Sequence, residues 1–597
     1  ARLSHRFFTP YCLFFNEMPI RNLFLFLTTL LIMYSCNKDD VIEDDSLKPV
    51  ITLDSDTGVY TVKTGSELTI RPTVENAGGA SYSWIIDDEV VGTAPELTVK
   101  YDEVQEVYVT FRVVTPGGRA ETDLRIDVVQ SAVPVISLII PDGGIKILPD
   151  TDFKIEPDFG NADDSFSCRW LIDDKEVSTG RTFTFRESAV GTYTVTIEAT
   201  NADGTTSRDI EIEVVSELPV KARFNGPLHF SSSDERSAIA GRPTCLEVLT
   251  EYISKPVYTW EVNGVRVDCD SNIFSFTPEK AGRYAVKVKV TDEVSKVSAE
   301  AEVTVVAYGS QGTIRPAGAG SSSYSTKVYE FLPGPGQFIG LTGASGGYSG
   351  AETTPQLANE FAEKRLNNKL FLSLGAFGGY VVAGFDHSLR PGSAEYDFAI
   401  GGNAFDDSSE PGIVWVMQDT NGNGLPDDEW FELKGSETGK STTKQNYSVT
   451  YYRPGGAGMN VRWTDSEGNS GFVDYLSKYH GQPSYYPAWV TAPSYTLRGT
   501  RLAPNNTRNA VTGFWINHSY GWGYADNYGS DRLTGGNTSD GTNQQTGFKI
   551  ANAMLPDGSP ANLSHIDFIK VQTAINTKSG QLGESSSEVF FFRDLSM

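Results

Sequence analysis

Three stretches of the chain alternate apolar and polar residues with a period of two: VYVTFRVV from Val107, TYTVTIEAT from Thr192 and RYAVKVKVTD from Arg283. Each leads into a second alternating run, DLRIDVV, DIEIEVV or EAEVTVV. Strict alternation sends every other side chain to one buried face, so these are half-buried strands. About 25 residues ahead of each first run stands a tryptophan, at Trp84, Trp170 and Trp260, followed by an Asp-Asp or Asn-Gly turn signal. The pattern recurs at intervals of about 90 residues. Repeats of this size, with turns between strands, predict three β-sandwiches over residues 49–131, 132–216 and 217–307.

The texture then changes. Residues 308–326 (YGSQGTIRPAGAGSSSYST) are Gly/Ser-rich and read as a linker. In the terminal region, 327–597, Pro333 and Pro335 break any regular element, and a short helix is predicted over Gln356 to Leu366. FLSLGAFGGYVVAGFDHSL and EYDFAIGGNAF read as paired strands, and IDFIKVQTAI and SSEVFFFRDL as closing ones. The fold class expected is all-β, which suits 58 Gly, 27 Tyr and 32 Phe with few helical periodicities.

Near the start, Arg21 precedes an apolar run from Leu23 to Met33 that is too short to anchor a chain by itself, then Ser35 and Cys36. Residues 18–35 resemble a bacterial lipoprotein signal peptide cut before Cys36, which implies lipidation of Cys36 and an acidic tether over 36–48. The Asn37-Lys38-Asp39-Asp40 that follows resembles the tag by which Bacteroidota send lipoproteins to the outer cell face. Residues 1–17, upstream of Met18, carry no signal logic and read as a start-site artefact.

Net charge is −27, from 49 basic and 76 acidic residues, with no Lys/Arg block, so nucleic acid is not an expected partner. Cys168, Cys245 and Cys269 are too few for a disulfide framework; a Cys245–Cys269 bridge and free thiols both stay open. The sharpest chemical motif is Asp419-Thr420-Asn421-Gly422-Asn423-Gly424-Leu425-Pro426-Asp427-Asp428-Glu429. Oxygen side chains at positions 1, 3 and 5 with Gly at 6 match the first half of an EF-hand-like loop, and Leu425 would offer its carbonyl at position 7. Position 12 is Trp430, so Asp427, Asp428 or Glu429 must close the shell, as in thrombospondin type-3 loops. Structural Ca²⁺ is the expected cofactor. Two further acidic groups, Asp526 to Asp531 and Asp406, Asp407 and Glu410 near Asn403, lack a recognised spacing.

Aromatic residues crowd the stretch from Tyr475 to Tyr528, interrupted by Pro and Gly. Tyr485, Tyr486, Trp489 and Trp522 are expected to be exposed for ligand stacking, with Arg498 and His518 adding polar contacts. Gly343-Ala344-Ser345-Gly346-Gly347 fits G-x-S-x-G but lacks the strand and helix a nucleophile elbow requires. The six His show no HExxH spacing, and no catalytic residue is predicted.

The repeats resemble polycystic-kidney-disease (PKD) immunoglobulin-like domains, and the terminal region is similar to jelly-roll-like bacterial surface domains. Together the resemblances imply an outer-membrane lipoprotein, facing the exterior, that captures a nutrient, glycan or corrinoid such as cobalamin, alongside a TonB-dependent transporter. The three sandwiches, as spacers of roughly 35–40 Å each, would hold the terminal domain well above the membrane. A polysaccharide-degrading enzyme with paired carboxylates and an adhesin using the repeats remain the alternatives.

Overall fold

The computed structural model describes residues 48–597 except 130–132, 142, 232, 477, 509–512 and 534–543. Cys36 and the signal segment lie outside the described residues. Among the described residues no helix is long and apolar enough to cross a membrane.

The chain is all-β, and the three repeats share one strand order. In the first, the sheet runs Val59–Lys63, Gly118–Val129, Gln105–Thr115, Ser81–Ile86, Glu89–Gly92. The second uses Ile145–Ile147, Gly204–Val214, Gly191–Asn201, Ser167–Ile172 and Lys175–Ser178 in the same places, and the third Glu235–Ile239, Ser298–Tyr308, Gly282–Asp292, Pro256–Val262 and Val265–Val267. The opening strand pairs parallel to its neighbour in every repeat. The alternating runs are the two long central strands, and their inward residues form the cores.

Each tryptophan is fully buried and its indole N–H donates to a carbonyl ten or eleven residues on: Trp84 to Ala94 at 2.9 Å, Trp170 to Gly180 at 2.7 Å, Trp260 to Ser271 at 3.0 Å. That bond lets the largest side chain enter the core without an orphaned donor. The turns after them take positive φ at both central residues, Asp87-Asp88, Asp173-Asp174 and Asn263-Gly264. Such turns match the right-handed twist of the flanking strands, which is why Asx and Gly occur there. Cys168, Cys245 and Cys269 are all free thiols, so the Cys245–Cys269 bridge is not formed.

The terminal region builds a five-stranded sheet in the order Lys327–Leu332, Tyr380–Leu389, Ile566–Thr573, Gly412–Met417, Trp430–Glu432. Two further sheets carry Ser470–Val473, Val461–Asp465, Lys444–Tyr452, Ser494–Arg501, and Gln545–Phe548, Phe398–Gly401, Phe591–Asp594. One large core lies among them. The predicted helix spans Pro355–Asn367; Pro355 fits its first turn and the Thr354 hydroxyl accepts from Leu357 N. The G-x-S-x-G stretch makes a single helical turn, Gly343–Gly346, and the strand before it ends at Leu332, so no elbow forms.

Two expectations are corrected. The tract 308–326 is not a free linker. Arg315 Nη2 pairs with Asp567 Oδ1 at 3.0 Å, and Gln311 Oε1 accepts from Gln418 Nε2 at 2.9 Å and Ser564 N at 2.7 Å. Its low apolar content concealed these polar anchors. Nor are the repeats spacers alone, because residues of all three contact the terminal region. Arg125 Nη1 donates to Tyr479 at 3.4 Å, Arg462 pairs with Asp158 at 2.7 Å, and the Glu330 carboxylate accepts from His229 N at 2.7 Å and Phe230 N at 3.1 Å.

Candidate functional site

The Asp419 loop connects two neighbouring strands, Gly412–Met417 and Trp430–Glu432, as its position in the sequence implied. Asp419 opens it: Oδ2 accepts from Gly424 N at 3.0 Å. Asn421 Oδ1 accepts from Asn423 N at 3.0 Å, and Asn423 Oδ1 from Leu425 N at 2.8 Å. These successive Asx turns bend the backbone around one centre, and Gly422 and Gly424, both at φ 75°, supply the left-handed steps. Asp427 ties the loop across itself, accepting from Asn421 Nδ2 at 2.9 Å and Asn423 Nδ2 at 2.8 Å. Asp428 Oδ2 accepts from Thr420 N at 2.7 Å.

What remains is informative. Asp419 and Asp428 are each 5% exposed, and Oδ1 of both is buried without a hydrogen-bond partner among the described residues. Burial raises both carboxyls above the usual range, Asp428 to about 7. A buried carboxylate oxygen with no donor carries its full desolvation cost, and a hard cation is the partner that removes it. Two such oxygens in a loop of oxygen-bearing side chains fit calcium, which takes six to eight oxygens in flexible geometry. Asp419, Asn421, Asn423 and Asp428 would hold it, with the Leu425 carbonyl. Glu429 does not belong to that set: its carboxyl faces Thr244 and Arg242 of the third repeat, and burial lifts it to about 8. The alternation of the strand that starts at Trp430 turns it outward from the loop.

The aromatic prediction is overturned for three residues. Tyr485, Tyr486 and Trp489 lie in the large core at 0%, 4% and 2% exposure. The Tyr485 hydroxyl donates to His480 O at 3.0 Å and that of Tyr486 to Ala492 O at 3.2 Å. Irregular, Pro-rich backbone carried these rings inward because the hydroxyls find carbonyls there. Arg498 reaches Glu247 of the third repeat at 3.4 Å, and His518 Nε2 bonds the Thr507 hydroxyl at 2.7 Å.

Trp522 is half-buried and lines a cleft of about 120 Å³ with Tyr396, Lys434, Asp531, Lys549 and Asn552. Asp531 Oδ2 accepts from Gly523 N, Oδ1 is buried and unpartnered, and burial lifts the carboxyl to about 6. The Tyr396 ring lies over Gly547, where a Cβ would fall 2.4 Å from it.

The other acidic segments converge with a residue that sequence reasoning missed. Carboxylate oxygens of Glu410, Asp526 and Glu588 lie within 4.8 Å of one another. Asp526 accepts from Asn403 N at 2.8 Å, Ala404 N at 2.9 Å and Glu588 N at 2.9 Å, and Glu410 from Ser586 N at 3.0 Å. The cluster thus stitches three chain segments together, while Asp406 and Asp407 stay exposed. Burial and mutual repulsion push Glu410 and Glu588 up, and burial pushes Asp526 up. Glu588 was concealed because it sits in an apolar strand, EVFFF, far from the other two.

Groups held neutral in the fold but ionised when unfolded stabilise fully below the unfolded carboxyl range, and that stability is lost as pH rises through the folded values. Those are about 8 for Glu410 and about 7 for Asp526. Stability, and with it the melting temperature, is therefore expected to fall as pH rises from about 4 to about 8, by up to about 1.4 kcal/mol per pH unit for each proton given up. Glu588→Gln should flatten the slope in a calorimetric series; an unchanged slope contradicts the assignment.

Residues 48–115 and 133–201 match the PKD-like domain family. The first two sandwiches are thus PKD-like, and the third repeats their strand order. No curated protein matches the chain. Among solved structures, the fibronectin(III)-like modules of Clostridium thermocellum CbhA align over 28% of this chain and 94% of theirs, at 16% identity and TM-score 0.17. A structure on Dscam isoform specificity aligns over 43% of this chain and 72% of its own, at 15% identity and TM-score 0.14. Likenesses this loose carry no argument about function.

Proposed function

We propose that the chain is a lipid-anchored, outer-membrane surface protein of the Bacteroidota kind, whose calcium-stabilised, jelly-roll-like terminal domain captures a nutrient for a TonB-dependent transporter. The observation that carries the capture reading is the cleft beside Trp522, where the Trp522 and Tyr396 rings meet the Asp531 carboxylate, two lysines and an amide. Aromatic faces with polar groups at the rim suit hydroxylated rings. A cleft of about 120 Å³ is of the order of one sugar ring and far below a corrin macrocycle, so a glycan is favoured over cobalamin. Asp531 is the one carboxylate among its described lining residues, which favours binding over the paired-carboxylate chemistry of glycoside hydrolysis.

Calorimetric titration of the full chain with a glycan panel and with cobalamin tests this. A glycan should bind, and Trp522→Ala should weaken it about tenfold or more while leaving the melting temperature nearly unchanged. Absence of binding to every ligand contradicts capture; binding of cobalamin alone contradicts the glycan assignment.

An adhesin reading has one specific support. The first repeat carries a groove of about 550 Å³ bordered by exposed Val91 and Tyr108.

A further inference from the structure

We infer that the cation loop is a shared site, completed by Ser237 of the third repeat and Gly312 of the intervening tract, so that ion binding locks that repeat onto the terminal domain. The inference rests on the calcium reading of the loop given above.

The third repeat meets the loop through its edge strand, Glu235–Ile239. Asn421 Nδ2 lies 3.4 Å from Ser237 Oγ, and the same hydroxyl sits beside the Asp428 carboxylate without satisfying its Oδ1. The next residues continue the contact. Glu429 faces Thr244 and Arg242, and Trp430 Nε1 donates to Pro227 O at 3.0 Å. Arg242 lies 5.5 Å over the Phe431 ring and donates to Ala561 O at 2.9 Å. Asp428, Glu429 and Trp430, consecutive in sequence, therefore all reach one neighbouring domain.

The tract between the domains closes the other side. At Gly312, φ is 88° and a Cβ would fall 2.4 Å from Asp419 O, so only glycine lets the tract lie against the loop. Asp567, which pairs with Arg315 of the tract, accepts from Asp419 N at 2.8 Å through its other oxygen. The loop is thus pinned to the tract at its first residue and to the third repeat at its last.

This placement converts ion binding into a domain contact. Without a cation, the unpartnered oxygens of Asp419 and Asp428 sit in a dry surrounding beside further carboxylates, Asp567 and Asp427 respectively, which favours opening of the loop. Opening displaces Asp428, and with it the two residues that follow. A hard divalent cation draws both carboxylates inward and fixes the start of the Trp430–Glu432 strand against the repeat.

Hydrogen-exchange mass spectrometry on the full chain, in calcium and in chelator, with calcium titration alongside, tests the lock. Calcium should slow exchange in the loop and also in 235–245 and 309–316. Ser237→Ala should weaken calcium binding about two- to tenfold and reduce protection of 235–245; Gly312→Ala should remove the calcium-linked protection of 309–316. Calcium that binds but protects the loop alone overturns the lock while leaving the calcium reading intact. Titration showing no calcium binding ends both.

Discussion

Replacing Trp489 by alanine is expected to destabilise the terminal domain by about 3–5 kcal/mol, the range for deleting a buried tryptophan. Trp489 stacks on Tyr348 with 6.0 Å between ring centroids and lies 5.6 Å from Phe331. Those rings, with Phe361, hold the helix Pro355–Asn367 against the strand Lys327–Leu332. Removing the indole leaves a cavity that several aromatic neighbours cannot all collapse into. Its N–H has no partner among the described residues, so Trp489→Phe forfeits volume but no hydrogen bond and should cost much less. Chemical denaturation of the two variants checks this. Equal, small losses would mean that the ring is peripheral, as its loop-like sequence setting implied.

Calcium is expected to have the second large effect. A hundredfold excess of free ion over its dissociation constant adds about 2.7 kcal/mol to stability by linkage, so the melting temperature should rise steadily with calcium. Asp419→Ala removes an unpartnered carboxylate oxygen together with the acceptor of Gly424 N, and should abolish the dependence. The three repeats, whose cores are built from their own strands, should stay folded. Magnesium should substitute poorly, since it demands near-octahedral geometry and sheds water reluctantly.

How far the sequence reached follows from what each signal depends on. The repeats were legible because a period of two, a buried Trp and an Asx turn are local, and local patterns survive without knowledge of the partner strand. The turn geometry of the Asp419 loop was legible for the same reason: its Asx turns join residues two apart. The aromatic face was misread because exposure depends on what covers a ring. Tyr485 needs the His480 carbonyl and the surrounding core to be understood as interior, and Trp522 next to Asp531 to be understood as surface. Glu588 and Ser237 were illegible for a stronger reason. Each acts on residues more than sixty positions away, and neither stands in a motif. The signal that existed for Gly312 was its place in a tract read as flexible, where glycine is unremarked; only its approach to Asp419 shows why glycine is required.

A calcium site at the Asp419 loop, as proposed, has a direct thermodynamic signature. Titrating the chelator-stripped, dialysed full chain with calcium by isothermal calorimetry tests it most directly, with Asp419→Ala and Asp428→Asn run beside it. Saturable binding that both substitutions remove is expected. Heats indistinguishable from dilution, or binding that survives both substitutions, would contradict it.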